Sequence, residues 1–198
     1  MFEILTVCTG NVCRSPFAEV VLAAELPGIG VASAGARALI DHPMEHDAAR
    51  LARQYGISSE AVEAHRARWL TESHLSSPDL VLAMAREHRR EVVELAPAKV
   101  RSAFTAREFA RLAAYVPDAE ARRIADAAGE VPRERLRALL ASLAGLRSEV
   151  EPPLDPAEDD VIDPYRRGWE SYELMATQLM PALGEVVRIA RIAADRPS

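Results

Sequence analysis

Cysteine is scarce in this 198-residue sequence: there are two, Cys8 and Cys13, in one short stretch. That scarcity excludes a disulfide-stapled scaffold and a cysteine-rich zinc site. The five histidines are scattered, and none is paired with another at a convincing ligand spacing, so no metal or other cofactor is expected. No apolar run approaches the roughly 20 residues that a membrane helix requires. The amino end runs into an apolar stretch without a basic segment or cleavage site, which predicts a cytoplasmic protein with no membrane partner. Basic residues are not in excess: 24 Lys and Arg stand against 30 Asp and Glu, a net charge of -6. Nucleic acid is therefore not an expected partner. Lysine occurs once, at Lys99, which reads as genome composition rather than function. What is present, 49% hydrophobic and 27% charged residues, suits a soluble globular chain able to bury a core. A single domain over residues 1–198 is expected.

The most informative stretch is Cys8-Thr9-Gly10-Asn11-Val12-Cys13-Arg14-Ser15-Pro16. It follows an apolar run, Phe2 to Val7, that reads as a buried strand. It precedes a helical pattern from Phe17 to Leu26, for which Ser15 is a good N-cap and Pro16 a good first residue. Cys8 thus falls where a strand ends, and Arg14 where a helix begins. Loop amides there can converge into a concavity, and the helix start adds unpaired N–H groups and positive partial charge. Gly10 permits backbone angles denied to other residues. Arg14 offers a planar fork that matches two oxygens of a phosphate or arsenate. A thiol in that setting is suited to nucleophilic attack on a bound phosphoryl group.

This stretch resembles the phosphate loop of the low-molecular-weight protein tyrosine phosphatases. The resemblance implies a four-stranded parallel sheet with helices on both faces. It implies metal-free phosphomonoester hydrolysis through a phosphocysteine on Cys8, with Arg14 and the loop residues Thr9, Gly10, Asn11, Val12, Cys13 and Ser15 around the anion. It covers about residues 1–104 and 161–194. On the same resemblance Ser33, in Ser33-Ala34-Gly35, and His65, in His65-Arg66-Ala67-Arg68, join Asn11 in a network supporting the loop. The second cysteine, Cys13, either forms a reversible disulfide with Cys8 in the family manner or fills space beneath the loop.

Taken in order, further strands are expected at Val31–Gly35, Asp79–Met84 and Val100–Phe104. Helices are expected at Glu45–Tyr55, Leu70–Leu75 and Ala85–Leu95. Alternating strands and helices argue for a doubly wound α/β sheet, whose carboxyl edge is where such folds bind ligands. Residues 105–160 depart from the family pattern and read as an inserted helical hairpin. One helix, capped by Asp118, runs to about Ala128 and ends at Gly129. Another starts at Pro132 with Leu136, Leu139, Leu140, Leu143 and Leu146 at helical spacing. That stripe reads as satellite core, the alternatives being a lid or a dimer contact. A Pro-rich acidic loop, expected to be mobile, follows at 151–160, and a last helix at about Trp169–Ala194.

A departing oxygen needs a proton donor, and four aspartates compete in sequence: Asp155, Asp159, Asp160 and Asp163. The family's Asp-Pro pair before the last helix matches Asp163-Pro164, which implies Asp163 as the general acid. Leu39, Ile40 and Tyr165 are the expected substrate wall, although Leu39 and Ile40 stand where the family often has an aromatic. Val12 is aliphatic, as in the tyrosine-directed branch; the arginine-phosphatase branch has Thr. The reading is a phosphatase acting on phosphotyrosine proteins or small aryl phosphates. Alternatives are a protein arginine phosphatase, an arsenate reductase served by a small-thiol partner, and a non-catalytic anion-binding module.

Overall fold

The protein is described by a computed structural model over residues 1–195. Four strands form one sheet: β1 (Glu3–Cys8), β2 (Gly30–Gly35), β3 (Leu80–Ala83) and β4 (Ala103–Thr105). Their order is β2-β1-β3-β4, and every neighbouring pair is parallel. Parallel neighbours need long crossovers, and helices fill them. These are α1 (Arg14–Glu25), α2 (His46–Gln54), α3 (Ser59–Ala64) and α4 (Arg86–Leu95). Successive residues of β1 face opposite ways. Leu5 and Val7 pack with Leu70, Val81 and Val92, while Phe2, Ile4 and Cys8 enter the larger core shared with α1 and the C-terminal helices. Both faces are covered, as a central parallel strand requires.

Three boundaries differ from the sequence reading. Helix α1 starts at Arg14, its cap is Cys13, and no side chain caps it. Ser15 is inside the first turn, so its hydroxyl does not do the capping expected of it. Pro16 stays within that turn, where a missing N–H breaks no helical bond. The fourth strand begins only at Ala103, because Pro97–Arg101 coils into a 3-10 turn that leaves Val100 exposed. The segment at 70–75 narrows to a 3-10 turn, Glu72–Leu75.

The added residues form α5 (Ala106–Ala113), α6 (Asp118–Ala127) and α7 (Pro132–Gly145). Helices α6 and α7 make a hairpin whose first arm ends at Gly129, at φ +98°. Helix α7 packs on α8 (Trp169–Ala194), which in turn packs on α1 and α5. Leu136, Leu139, Leu140 and Leu143 are all buried and continuous with the main core, so the stripe is not a separate satellite. Each buried leucine contributes about 2 kcal/mol relative to an exposed one. Arg135, 1% exposed, fastens the hairpin. It donates to the carbonyls of Ile192, Ala193 and Gly129 and pairs with Asp126 at 2.8 Å. No helix among the described residues is long and apolar enough to cross a membrane.

Candidate active site

The loop after β1 turns its carbonyls outward. Thr9 O accepts from Arg37 N, Gly10 O from Leu39 N, Asn11 O from the His65 ring, Val12 O from Glu45 N and Cys13 O from Phe17 N. In a trans peptide the C=O and the next N–H point in opposite directions. The amides from Gly10 to Arg14 therefore face the inside of the loop. Cys8 Sγ lies at its floor, where it accepts from Asn11 N at 3.3 Å. A ring of inward donors over a sulfur is a receptor for an oxyanion.

Asn11 is the keystone of that shape. Its φ of +55° is left-handed, a region asparagine tolerates better than most residues. Its side chain is fully buried and fully used: Nδ2 donates to Ser33 Oγ at 2.7 Å and to Ser15 Oγ at 2.9 Å, and Oδ1 accepts from Arg68 N at 2.9 Å. Its carbonyl pairs with His65 Nε2 at 2.8 Å. The network extends to residues that sequence reasoning missed. Ser33 Oγ donates to Glu19 Oε2 at 2.5 Å, and Arg68 Nε donates to Ser33 O at 2.6 Å. Because Ser15 Oγ accepts from Asn11, its own proton is left for Cys8 Sγ, 3.0 Å away, with Ala34 O the more distant alternative acceptor at 3.5 Å.

Gly35 shows how tightly β2 presses on the loop. A Cβ there would sit 2.6 Å from Thr9 O and 2.9 Å from Asn11 Cβ. Cys8 and Gly35 are register partners in the sheet, and Gly35 also pairs with the 68–70 segment. The glycine thus lets three chain segments converge beneath the loop.

Arg14 is 4% exposed and starts α1. Its NH1 donates to Val161 O at 3.2 Å, and its NH2 donates to Thr9 Oγ1 at 3.3 Å and pairs with Asp163 Oδ2 at 2.9 Å. Its Nε is buried and has no partner among the described residues. The four competing aspartates separate clearly. Asp155 accepts from Ala157 N at the start of a 3-10 turn, Asp159 pairs with Arg111, and Asp160 pairs with Arg86. Of the four, Asp163 is the one that reaches Arg14. The acidic loop expected to be mobile is anchored at its end: Arg107 donates to Asp160 O, Val161 N to Met84 O and Ile162 N to Gln178 Oε1.

A cleft of about 190 Å³ opens above the sulfur. Its lining includes Cys8, Gly10, Val12, Arg14, Asp163 and Tyr165, with Leu39 and Arg37 at its sides. Ile40, expected at the wall, is 58% exposed and lies outside that lining. Cys13 is buried, with Sγ 4.0 Å from the Tyr172 hydroxyl. Burial first, then the neighbouring Cys8 and Glu45, push its thiol far up, so it holds its proton. His88, on α4, was singled out by no sequence signal. It is fully buried with Nε2 2.8 Å from Thr9 Oγ1, and burial, then Arg14 and Arg37, push it down to about 3. The one clue available was its place five residues after the end of β3, at the sheet's carboxyl edge.

A doubly wound sheet with a cysteine-to-arginine anion loop at its carboxyl edge defines an oxyanion-handling α/β protein. Comparison narrows the class. The model of the low molecular weight phosphotyrosine protein phosphatase family matches residues 3–144, and the chain belongs to that family. The match runs into the added helices and stops before Asp163. The low molecular weight protein-tyrosine-phosphatase Etp of Escherichia coli K12 is 46% identical over 95 residues, 48% of this chain and 62% of that protein. The protein-arginine-phosphatase of Geobacillus stearothermophilus is 37% identical over 109 residues, 54% of this chain and 71% of that protein. The crystal structure of a low molecular weight protein tyrosine phosphatase from T. tengcongensis is 29% identical. It aligns over 94% of this chain and 98% of its own, with a TM-score of 0.64.

Proposed function

We propose that this chain hydrolyses aryl phosphomonoesters, protein phosphotyrosine foremost, through a phosphocysteine on Cys8. The observation that carries the reading is the loop itself: outward carbonyls, inward amides, Cys8 Sγ at the floor and Arg14 joined to Asp163 at 2.9 Å. The Cys8 sulfur attacks phosphorus in line and forms the S–P bond. As the P–O bond to the leaving group breaks, Asp163 gives that oxygen its proton. Loop amides and the Arg14 fork hold the three equatorial oxygens, which is where catalysis of phosphoryl transfer lies. Asp163, now a base, takes a proton from water as the water oxygen attacks phosphorus. The S–P bond breaks, its electrons return to Cys8, and Ser15 donates a hydrogen bond to the departing sulfur.

An aryl substrate is favoured over phosphoarginine by the cleft. Val12, Leu39 and Tyr165 present carbon to a ring, and position 12 has no hydroxyl to offer a guanidinium. One continuous apolar core from β1 to α7 and α8 supports reading the chain as one phosphatase domain. Two free thiols at one site suit a reducing compartment, so the cytoplasm is the proposed setting.

The test is steady-state kinetics on a series of aryl phosphates. Cys8→Ser and Arg14→Ala are expected to abolish turnover. Asp163→Asn is expected to slow poor leaving groups far more than good ones, because only poor ones depend on the donated proton. Full turnover in Cys8→Ser refutes the mechanism. Faster turnover of phosphoarginine than phosphotyrosine transfers the assignment to the arginine branch, and arsenite production from arsenate with a small thiol transfers it to arsenate reduction.

A further inference from the structure

At the edge of the sheet opposite Cys8, where β3 begins, a second cavity of about 270 Å³ opens. It lies between the loop before β3, the Pro97–Arg101 turn and helix α7. Its walls carry three cations, Lys99, Arg101 and Arg137, and three hydroxyls, Ser76, Ser77 and Ser102. Its one acid is Asp79, whose side chain is 2% exposed and already engaged. That carboxylate accepts from Arg133 Nε at 3.0 Å and Glu3 N at 3.3 Å, and pairs with Arg137 at 3.3 Å. This clasp fastens α7 to the start of β3 and accounts for Arg133 and Arg137. Arg137 also meets Glu134 at 3.0 Å.

The clasp leaves the other cations unexplained. Lys99, the single lysine of the chain, donates to Pro78 O at 2.5 Å. Among the described residues neither Lys99 nor Arg101 has a carboxylate within 4.0 Å. Burial depresses Lys99, Asp79 opposes that, and Arg137 and Arg133 depress it again. In a chain of net charge -6, cations of like sign converge here on one concavity. Of its hydroxyls, Ser76 donates to Ser73 O at 2.7 Å and Ser102 to Lys99 O at a long 3.5 Å, while that of Ser77 is unshared among the described residues. Like charges held together repel unless an anion joins them.

We propose that this cavity is a second anion site, for a small phosphate-bearing molecule, separate from the Cys8 loop and built in part by α7. Arg101 supplies a planar fork for two phosphoryl oxygens, and Lys99 supplies a point charge. The hydroxyl of Ser77 donates to a remaining oxygen, that of Ser102 does so by releasing its long 3.5 Å bond to Lys99 O, and Leu140 and Ala141 floor the part of the cavity that takes carbon. The volume is below that of a typical drug-sized pocket, which limits the ligand to a few carbons beyond its phosphate.

The lone lysine makes the test direct. In the full-length protein labelled isotopically at lysine side chains, a single set of signals reports on Lys99. Titration with inorganic pyrophosphate at physiological ionic strength is expected to shift those signals saturably and to raise the titration point of the amine. Arg101→Glu, a change at an exposed residue without a partner, is expected to weaken that response about tenfold or more. Its turnover of aryl phosphate without pyrophosphate is expected to match the unsubstituted protein. Arg101→Gln and Ser102→Ala are expected to weaken the shift by smaller factors. Absence of a saturable shift overturns the proposal, as does equal affinity in Arg101→Glu. A shift that survives in Arg101→Glu and vanishes in Arg14→Ala also overturns it, because the signal then reports the Cys8 loop.

Discussion

His88 Nε2 lies 2.8 Å from the hydroxyl of Thr9, and the same hydroxyl oxygen accepts from Arg14 NH2 at 3.3 Å. A fully buried imidazole on α4 is thus joined to the guanidinium at the loop, which in turn meets Asp163. Protonating the fully buried ring would place a positive charge beside Arg14 and Arg37, against which stand only Glu87, with Oε1 3.4 Å from Nε2, and Asp160. Its depression to about 3, first by burial and then by those arginines, keeps it neutral. Its Nδ1 has no partner among the described residues.

This depression makes stability depend on pH. Between about 6.5 and 3 the unfolded chain binds a proton at residue 88 that the folded chain refuses. Stability therefore falls as pH drops through that window and is fully present above it. His88→Gln removes the titrating group. Urea unfolding is expected to show the unsubstituted protein losing about 2 kcal/mol more than His88→Gln between pH 7 and roughly pH 5. Parallel losses in the two proteins would contradict the assignment.

Ser15 sits 3.0 Å from Cys8 Sγ with its proton unclaimed by Asn11. Ser15→Ala removes a hydrogen bond to the sulfur as it leaves phosphorus. A bond of that kind is worth about 1.5–3 kcal/mol. Rapid-quench kinetics on a good leaving group are expected to show phosphocysteine accumulating and its breakdown slowed by about 10- to 100-fold.

Gly35→Ala drives a methyl group to within 2.6 Å of Thr9 O, and neither backbone can yield without moving the loop. The expected result is a folded protein whose turnover falls by about a hundredfold, as a displacement near one ångström at a reacting centre produces. Circular dichroism alongside the assay separates this from unfolding. Unchanged turnover would mean that the loop tolerates the shift.

Arg135 acts far from the cleft. Arg135→Leu strips donors from the carbonyls of Gly129, Ile192 and Ala193, which end α6 and α8. Leaving the buried Ile192 and Ala193 carbonyls unpaired is expected to cost about 3 kcal/mol in denaturant unfolding. Turnover per folded molecule is expected to hold, since no group of the cleft is touched.

Nine contiguous residues, Cys8 to Pro16, sufficed to read the loop of inward amides, the cysteine at its floor and the arginine at the start of α1. A strand, a tight loop and a helix start are local events, so their geometry follows from neighbours in the chain. The alternating pattern likewise determined the order of strands and helices, and with it the edge of the sheet where the loop opens. Tertiary structure alone decided the rest. By residue type Asp155, Asp159, Asp160 and Asp163 look alike, and only the family resemblance pointed to Asp163; the fold separates them by partner, Asp155 meeting a local amide and the other three each a different arginine, at separations of up to about 150 residues. Glu19, Arg68 and His88 carry no local mark of their roles, because each acts through a partner brought near by the sheet. Ser15 looked like a cap and instead serves the sulfur, since the helix begins one residue earlier and turns that hydroxyl inward. The leucine stripe of α7 specified a buried face, and only its seat on α8 determined what it is buried against.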